Sequence, residues 1–357
     1  MDINTTTFAK HAGRKYDTIQ VFRFIAALMV ITLHSIFYAS ERLQSGFARY
    51  IEGSNGVSLF FVISGFVMII SSEHLRKSKA GWKIFAVKRV LRIVPIYWII
   101  TTYKIITLFF ASSLVYHGDL NLGFILKSYF FIPALNADGL FQPFYAVGWT
   151  LNFEMFFYLL FSIALAIRIN PIILLSATFI PLSVLSFYKT THWPDIGFYA
   201  DLIVLYFLYG MIAAKLILNG KKLPPYLAIP IVFAGLLYLF VPGYELSDGV
   251  YIPNLIITHA ATFLIVYAGA SLDGIWPSKI PKWLVYVGGA SYSLYLIHPV
   301  VAPLAPVLFN LLHLKWPWPS VAVSILIAIV AGTLFFKYCE APLTAFFTQW
   351  AKKFKLI

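Results

Sequence analysis

The sequence predicts an all-α, polytopic membrane protein of about ten transmembrane helices, with the N- and C-termini both on the cytoplasmic side. Three observations predict it. Hydrophobic residues make up 60% of the 357 residues and charged residues only 11%, whereas a soluble chain is about 45–50% apolar and about 25% charged. Ten segments approach the roughly 20 apolar residues that a helix needs to cross a bilayer. The basic residues collect on alternate loops, as they do in membrane proteins. The composition excludes a disordered chain, and the single Cys339 excludes a disulfide scaffold.

The first span, 19–38, follows a mixed-polar start and has no small-residue cleavage site after it, so it reads as a retained helix. Within it, Arg23 and His34 stand eleven residues apart. At about 100° per residue they share one face, about 16 Å apart along the axis. Arg23 reads either as a snorkelling anchor or as a functional cation. A histidine in the outer half of a span needs a partner, which favours a functional reading. The second span, 56–72, is short and opens with Gly56-Val57-Ser58-Leu59-Phe60-Phe61-Val62-Ile63-Ser64-Gly65-Phe66. Small residues there suit close helix packing or backbone approach to a ligand.

The third span, 90–111, follows a basic hairpin holding Lys77, Lys79, Lys83, Lys88, Arg89 and Arg92. Arg89 and Arg92 share a helix face and read as positive-inside charge or as a clamp for phosphates. Tyr97 lies further along the same helix. Residues 112–147 are rich in Phe, Tyr, Gly and Pro and read as a packed lid or re-entrant piece, because Tyr129-Phe130-Phe131-Ile132 is costly to leave exposed. The fourth span, 148–167, carries Glu154 in its outer half, with Tyr158 one turn on. An acidic group at that depth must be paired, protonated or wet. The fifth span, 171–188, is short. The sixth, 197–217, carries Asp201. The seventh is 225–241. The eighth, 253–272, carries Asn254, Thr258 and His259, read with Asp201 as helix–helix hydrogen bonds.

In the ninth span, 284–309, Ser291, Tyr295 and His298 follow an i, i+4, i+7 face. Gly288 and Gly289 admit a close neighbour, and Pro299 predicts a kink after His298. The tenth, 318–338, ends before Glu340, placed to pair with the basic hairpin. With both termini inside, 21 of the 27 basic residues are cytoplasmic, Lys10, Arg14, Lys15, Lys215, Lys221, Lys222 and Lys279 among them. The acidic residues divide five inside and nine outside. This asymmetry accounts for the net charge of +13, so no nucleic-acid partner is expected. An eight-span chain would keep the same parity. No Walker A stretch, no GxSxG elbow and no convincing metal cage is present. The chain reads as one integral membrane domain, 1–357.

Taken in order, these residues resemble the membrane acyltransferase family 3, which O-acylates cell-surface polysaccharides and related acceptors. Ile19 to Leu28 with Arg23 leading to His34 is like the family's Arg-x10-His signature. Gly56 to Phe66, Arg89-x-x-Arg92 with Pro95 and Tyr97, Trp149 to Tyr158, Ser291 to His298, and Tyr338 to Pro342 also fit. The opening stretch looks most like the exopolysaccharide-production subgroup. Ser58 departs from the pattern, since relatives usually have Asp after Gly-Val. The hydrolase-like extracytoplasmic domain that some members append is absent from this sequence.

The resemblance implies an O-acetyltransferase of the bacterial inner membrane. It would use acetyl-CoA or another acyl-CoA as donor substrate, with no permanently bound cofactor and no metal. The acceptor would be a sugar hydroxyl on a polysaccharide or lipid-linked oligosaccharide. On that basis His34 is expected as general base and Glu154 as its orienting partner. Arg23, Arg89, Arg92 and Tyr97 are expected to bind the donor, whose extended pantetheine arm is of the order of the Arg23–His34 rise. Tyr158, Ser291, Tyr295 and His298 are substrate or oxyanion candidates. A transporter or flippase of an acyl group or lipid-linked glycan also needs intramembrane charge and broken helices; it would leave the thioester intact.

Overall fold

The computed structural model describes residues 16–110, 121–190, 193–240, 252–274 and 280–357. Lys10, Arg14, Lys15, Lys279, the lid residues 112–120 and the side chain of Asn254 lie outside the described residues. No strand occurs among the described residues. The helices are α1 (Asp17–Arg42), α2 (Asn55–Ser72), α3 (Gly81–Phe110), α4 (Leu122–Tyr129), α5 (Trp149–Ala166), α6 (Pro171–Leu185), α7 (Leu205–Leu218), α8 (Pro225–Phe240), α9 (Ile252–Leu272), α10 (Lys282–Gly289), α11 (Ser291–Val301), α12 (Leu304–Leu311), α13 (Pro317–Phe335) and α14 (Ala341–Lys353).

Eight helical stretches among the described residues are long and apolar enough to cross a membrane. Two more apolar helices, Leu202–Leu218 and Pro225–Phe240, are shorter. The protein is therefore an all-α, multi-pass membrane protein, with eight full-length and two shorter apolar helices among the described residues, close to the ten expected. The short helices are the sixth and seventh, not the second and fifth. Flanking 3-10 turns extend the second stretch to Glu52–Lys77, 26 residues, and the fifth to Pro171–Tyr188, 18 residues. The ninth span is not one rod. It breaks at Ala290, after the glycine pair, and again after Val301. The predicted kink at Pro299 is not where the helix ends. The ladder passes through it to Ala302, whose N–H donates to the His298 carbonyl at 2.9 Å; Pro303 then has no N–H to give.

The chain forms two compact units, Met1–Glu73 with Tyr206–Tyr338, and His74–Leu205 with Cys339–Ile357. In the first, α1 is the hub and packs on α2, α9, α10, α11 and α13. Ala27 and Ile31 of α1, Leu294 of α11 and Ala328 of α13 form a fully buried apolar cluster. Residues 20 and 288 meet at one end of the α1 seam, and 34 and 298 further along it, so α1 runs parallel to α10–α11. A side chain at Gly288 would collide with the Gln20 backbone, and one at Gly56 with the Ala26 carbonyl. The glycines of the 56–66 motif thus serve close helix packing.

In the second unit α3 and α5 run antiparallel, with Phe85 against Phe161 at 4.6 Å between ring centroids and Tyr97 against Gly148. The described part of the lid packs on α3. Trp98 Nε1 donates to the Tyr129 carbonyl at 2.8 Å, and Lys104 Nζ to the Phe144 carbonyl at 2.7 Å. Phe131 is buried, as expected, but Phe130 and Ile132 remain exposed.

Candidate active site

The polar residues singled out from the sequence form two clusters, one in each unit. In the first unit, the face that carries Ala27 and Ile31 continues along α1 to His34. The face that carries Leu294 continues along α11 to His298. One turn beyond the apolar cluster, therefore, the seam changes from aliphatic to imidazole. The two rings lie 4.8 Å apart between centroids, tilted by 60°. His34 Nδ1 is 2.9 Å from the Val30 carbonyl oxygen. A carbonyl only accepts, so Nδ1 carries the hydrogen and Nε2 of the neutral ring presents its lone pair. His298 is fully buried. The Leu294 and Tyr295 backbone carbonyls are the acceptors beside its ring. Tyr295 stands edge-on to His298 at 5.8 Å and to Phe60 at 6.0 Å. Ser291 is buried with its hydroxyl unpartnered among the described residues. Arg23 donates to the Gln20 side chain at 3.0 Å.

In the second unit the Tyr158 hydroxyl donates to the Glu154 carboxylate, as their four-residue spacing on α5 predicts. The Arg89 guanidinium lies over the Phe85 ring at 5.5 Å and the Tyr158 ring at 6.0 Å. Arg92 joins Arg89 within electrostatic range of Tyr158, and Glu154 lies within that range of Arg89. The result is a planar, multi-donor cation held on aromatic faces beside a carboxylate, suited to bidentate anion recognition.

Glu154, expected to orient His34, lies in the other unit and accepts from Tyr158, while His34 Nδ1 contacts the Val30 carbonyl. Tyr97, expected at the donor site, lies eight residues past Arg89, about 12 Å along the helix. It is fully buried against Phe131 and Gly148. Asp201 caps the turn before α7 by accepting from the Ile203 N–H at 2.9 Å. His259 stacks on Tyr206 at 4.2 Å and pairs with the Tyr209 hydroxyl at 3.2 Å, and Thr258 pairs with Tyr238, matching the helix–helix hydrogen bonds expected there. Glu340 is buried in a π turn at the end of α13. An open cleft of about 380 Å³ between Asn121, Phe124, Lys127, Leu135 and Asp195 holds none of the expected site residues. Among the described residues no group of three or more His, Cys, Asp or Glu side chains is placed to hold a metal ion.

Residues 16–338 match the family of the acyltransferase domain. The chain belongs to membrane acyltransferase family 3. The exopolysaccharide production protein ExoZ of Rhizobium meliloti (strain 1021) is 31% identical over 270 residues, 74% of this chain and 80% of that protein. No solved structure matches. Both clusters fall within the acyltransferase match, so the protein is a membrane acyltransferase whose histidine pair and Arg89–Glu154–Tyr158 cluster lie inside its family domain. Two features of the site escape sequence reading. The Val30 carbonyl is backbone and leaves no residue signal. The His34–His298 pairing joins positions far apart in the chain. Phe85 was also missed, though its place one turn before Arg89 carries the signal of a cation platform.

Proposed function

We propose that this protein transfers an acyl group, acetyl foremost, from a cytoplasmic acyl-CoA to a sugar hydroxyl of an exopolysaccharide precursor in the bacterial cytoplasmic membrane. The observation that carries this reading is the 2.9 Å contact of His34 Nδ1 with the Val30 carbonyl oxygen. A half-buried imidazole with Nδ1–H tied to a backbone carbonyl presents Nε2 as a base. The family domain makes acyl transfer the reaction for that base to serve, and the ExoZ likeness supports an exopolysaccharide acceptor.

In the proposed step Nε2 takes the proton of the acceptor hydroxyl as its oxygen attacks the thioester carbonyl carbon. The carbon–sulfur bond then breaks, and the proton passes from His34 to the departing thiolate. Arg89 and Arg92 hold the phosphates of CoA. Glu154 and Tyr158 fix the Arg89 guanidinium and so act as positioning residues. Base catalysis of this kind contributes about 10²–10⁴-fold.

Purified protein given radiolabelled acetyl-CoA and a candidate oligosaccharide tests the reading. His34→Ala is expected to abolish transfer while the protein still folds and binds CoA. Arg89→Ala is expected chiefly to raise the KM for acetyl-CoA. Near-normal turnover by His34→Ala would overturn the base assignment, and movement of label with the thioester intact would overturn acyl transfer altogether.

A further inference from the structure

We propose that the open cleft of the second unit, lined by Asn121, Phe124, Lys127, Leu135 and Asp195, docks the glycan acceptor and holds sugar residues of the chain other than the one that is acylated. The proposal rests on the reading of the protein as a glycan O-acyltransferase.

The walls of the cleft are fixed by hydrogen bonds and packing. The Asn121 side chain accepts from the Phe124 N–H at 3.1 Å and starts α4. At the other end of α4 the buried Ser128 hydroxyl accepts from the Phe144 N–H at 2.8 Å, and the Lys127 carbonyl accepts from the Ile132 N–H at 2.9 Å. Phe131, at a φ of 57°, turns the chain back, so that Leu135 lines the same cleft as Phe124. Trp98 and Thr102 of α3 hold Tyr129, through its carbonyl at 2.8 Å and its hydroxyl at 2.6 Å. Asp195 opens a 3-10 turn, Asp195–Tyr199, whose Phe198 and Tyr199 pack on Phe153 and Phe156 of α5.

The chemistry of the lining suits a carbohydrate. Its charged residues are Lys127 and Asp195, and Lys127 Nζ donates to the Asp195 carboxylate at 3.0 Å with the two side chains 46% and 44% exposed. A cation paired in this way leaves no surplus charge for a phosphate, a single carboxylate is a poor cage for a metal, and an ion pair repels an apolar tail. A sugar hydroxyl donates and accepts at once. It therefore bridges an ammonium and a carboxylate that stand side by side, and an exposed ion pair is weak enough to admit it. The half-buried Phe124 ring offers an apolar face to the C–H side of a sugar, beside the Asn121 amide. The volume of about 380 Å³ falls within the range of ligand sites, about 300–1,000 Å³, and has room for a short stretch of glycan.

The cleft is also separate from the arginine cluster of the same unit. Trp98 and Thr102, where α4 is fastened, lie nine and thirteen residues past Arg89, about 14–20 Å along α3. A glycan in the cleft thus leaves Arg89 and Arg92 to the acyl-CoA phosphates. Contacts to sugars that take no part in the chemistry add binding energy that grows with the length of the acceptor.

Oligosaccharides of graded length, cut by mild acid from the host bacterium's base-deacetylated exopolysaccharide, test the site in two ways: as acceptors from radiolabelled acetyl-CoA, and in equilibrium dialysis against the protein without donor. For the wild type the acceptor KM is expected to fall as the oligosaccharide lengthens. Lys127→Ala, at an exposed position, and Phe124→Leu, which keeps an apolar side chain, should flatten that dependence. Each should raise the KM and the dissociation constant of the longest oligosaccharide by about tenfold while the KM for acetyl-CoA stays within about twofold. Lys127→Arg, which keeps the cation, should recover most of the loss, and the thermal midpoint of Lys127→Ala should match wild type because only an exposed pair is gone. The inference is overturned if both variants bind and use the longest oligosaccharide within about twofold of wild type. It falls alone if the wild type acylates these acceptors in the same experiment. If instead the wild type binds them, loses that binding in Lys127→Ala and acylates none, the cleft stands and the acyltransfer reading has failed.

Discussion

At the scale of single residues, the site depends on which atom satisfies which. Tyr158 and Glu154 illustrate a pair readable in advance: four residues apart on a helix, they share a face, and the hydroxyl donates to the carboxylate. Tyr158→Phe removes that donor from a partly buried acid and is expected to destabilise the fold by about 1–3 kcal/mol. It should also loosen Arg89, which lies over the same ring. The KM for acyl-CoA should rise while that for the acceptor stays put. Denaturation in detergent and a two-substrate kinetic analysis check both halves; an unchanged acyl-CoA KM would separate Tyr158 from the donor site. The His34 environment was only half readable. An imidazole inside an apolar helix announces a need for partners, but the partner here is a main-chain oxygen one turn back. Any residue at position 30 would supply that oxygen, so residue type carries no trace of it. His298 and Ser291 were readable as one helix face, yet which of them meets His34 depends on how α11 lies against α1.

At the scale of elements, hydropathy located the long spans because a run of about 20 apolar residues in so uncharged a chain suits a bilayer crossing and little else. It failed where adjacent short helices form one apolar run. Residues 284–309 read as one span, but the structure divides them, because Gly288-Gly289 and the prolines at 299 and 303 weaken the ladder within a continuous apolar composition. The glycine pair offers a controlled test. Gly288 abuts the Gln20 backbone of α1, while Gly289 has nothing within 4 Å of where a side chain would begin. Gly288→Val should therefore force α10 away from α1, costing about 1–3 kcal/mol or more and lowering the thermal midpoint. Gly289→Ala should be neutral or slightly stabilising, since alanine favours the helix. Equal effects of the two substitutions would show that the close α1–α10 approach does not stabilise the seam.

At the scale of the whole molecule, orientation is carried by charge rather than by packing. With both termini in the cytoplasm and ten crossings, 21 of 27 basic residues lie inside. The two short helices decide whether all ten cross. Leu202–Leu218 and Pro225–Phe240 are about 26 and 24 Å long, against a hydrocarbon layer of about 30 Å. A mismatch of that size costs only fractions of a kcal/mol per Å and is absorbed by local thinning. If the pair instead dipped in from outside and turned back, Lys215, Lys221 and Lys222 would change sides, and the cytoplasmic count would fall to 18 against nine. The charge rule opposes that arrangement, so both helices are expected to cross. Cys339 is the chain's one cysteine, and Cys339→Ser gives a thiol-free background for mapping. Cysteines placed singly at Lys83, Lys127 and Lys221, all exposed positions, should react with a membrane-impermeant maleimide from opposite sides. Lys83→Cys and Lys221→Cys should label only after the inner face is opened, and Lys127→Cys in intact cells. Labelling of Lys221→Cys in intact cells would leave eight crossings with the termini still inside, because removing a pair of spans preserves parity. Labelling of Lys83→Cys in intact cells would invert the chain and move the Arg89–Arg92 cluster away from any cytoplasmic acyl-CoA.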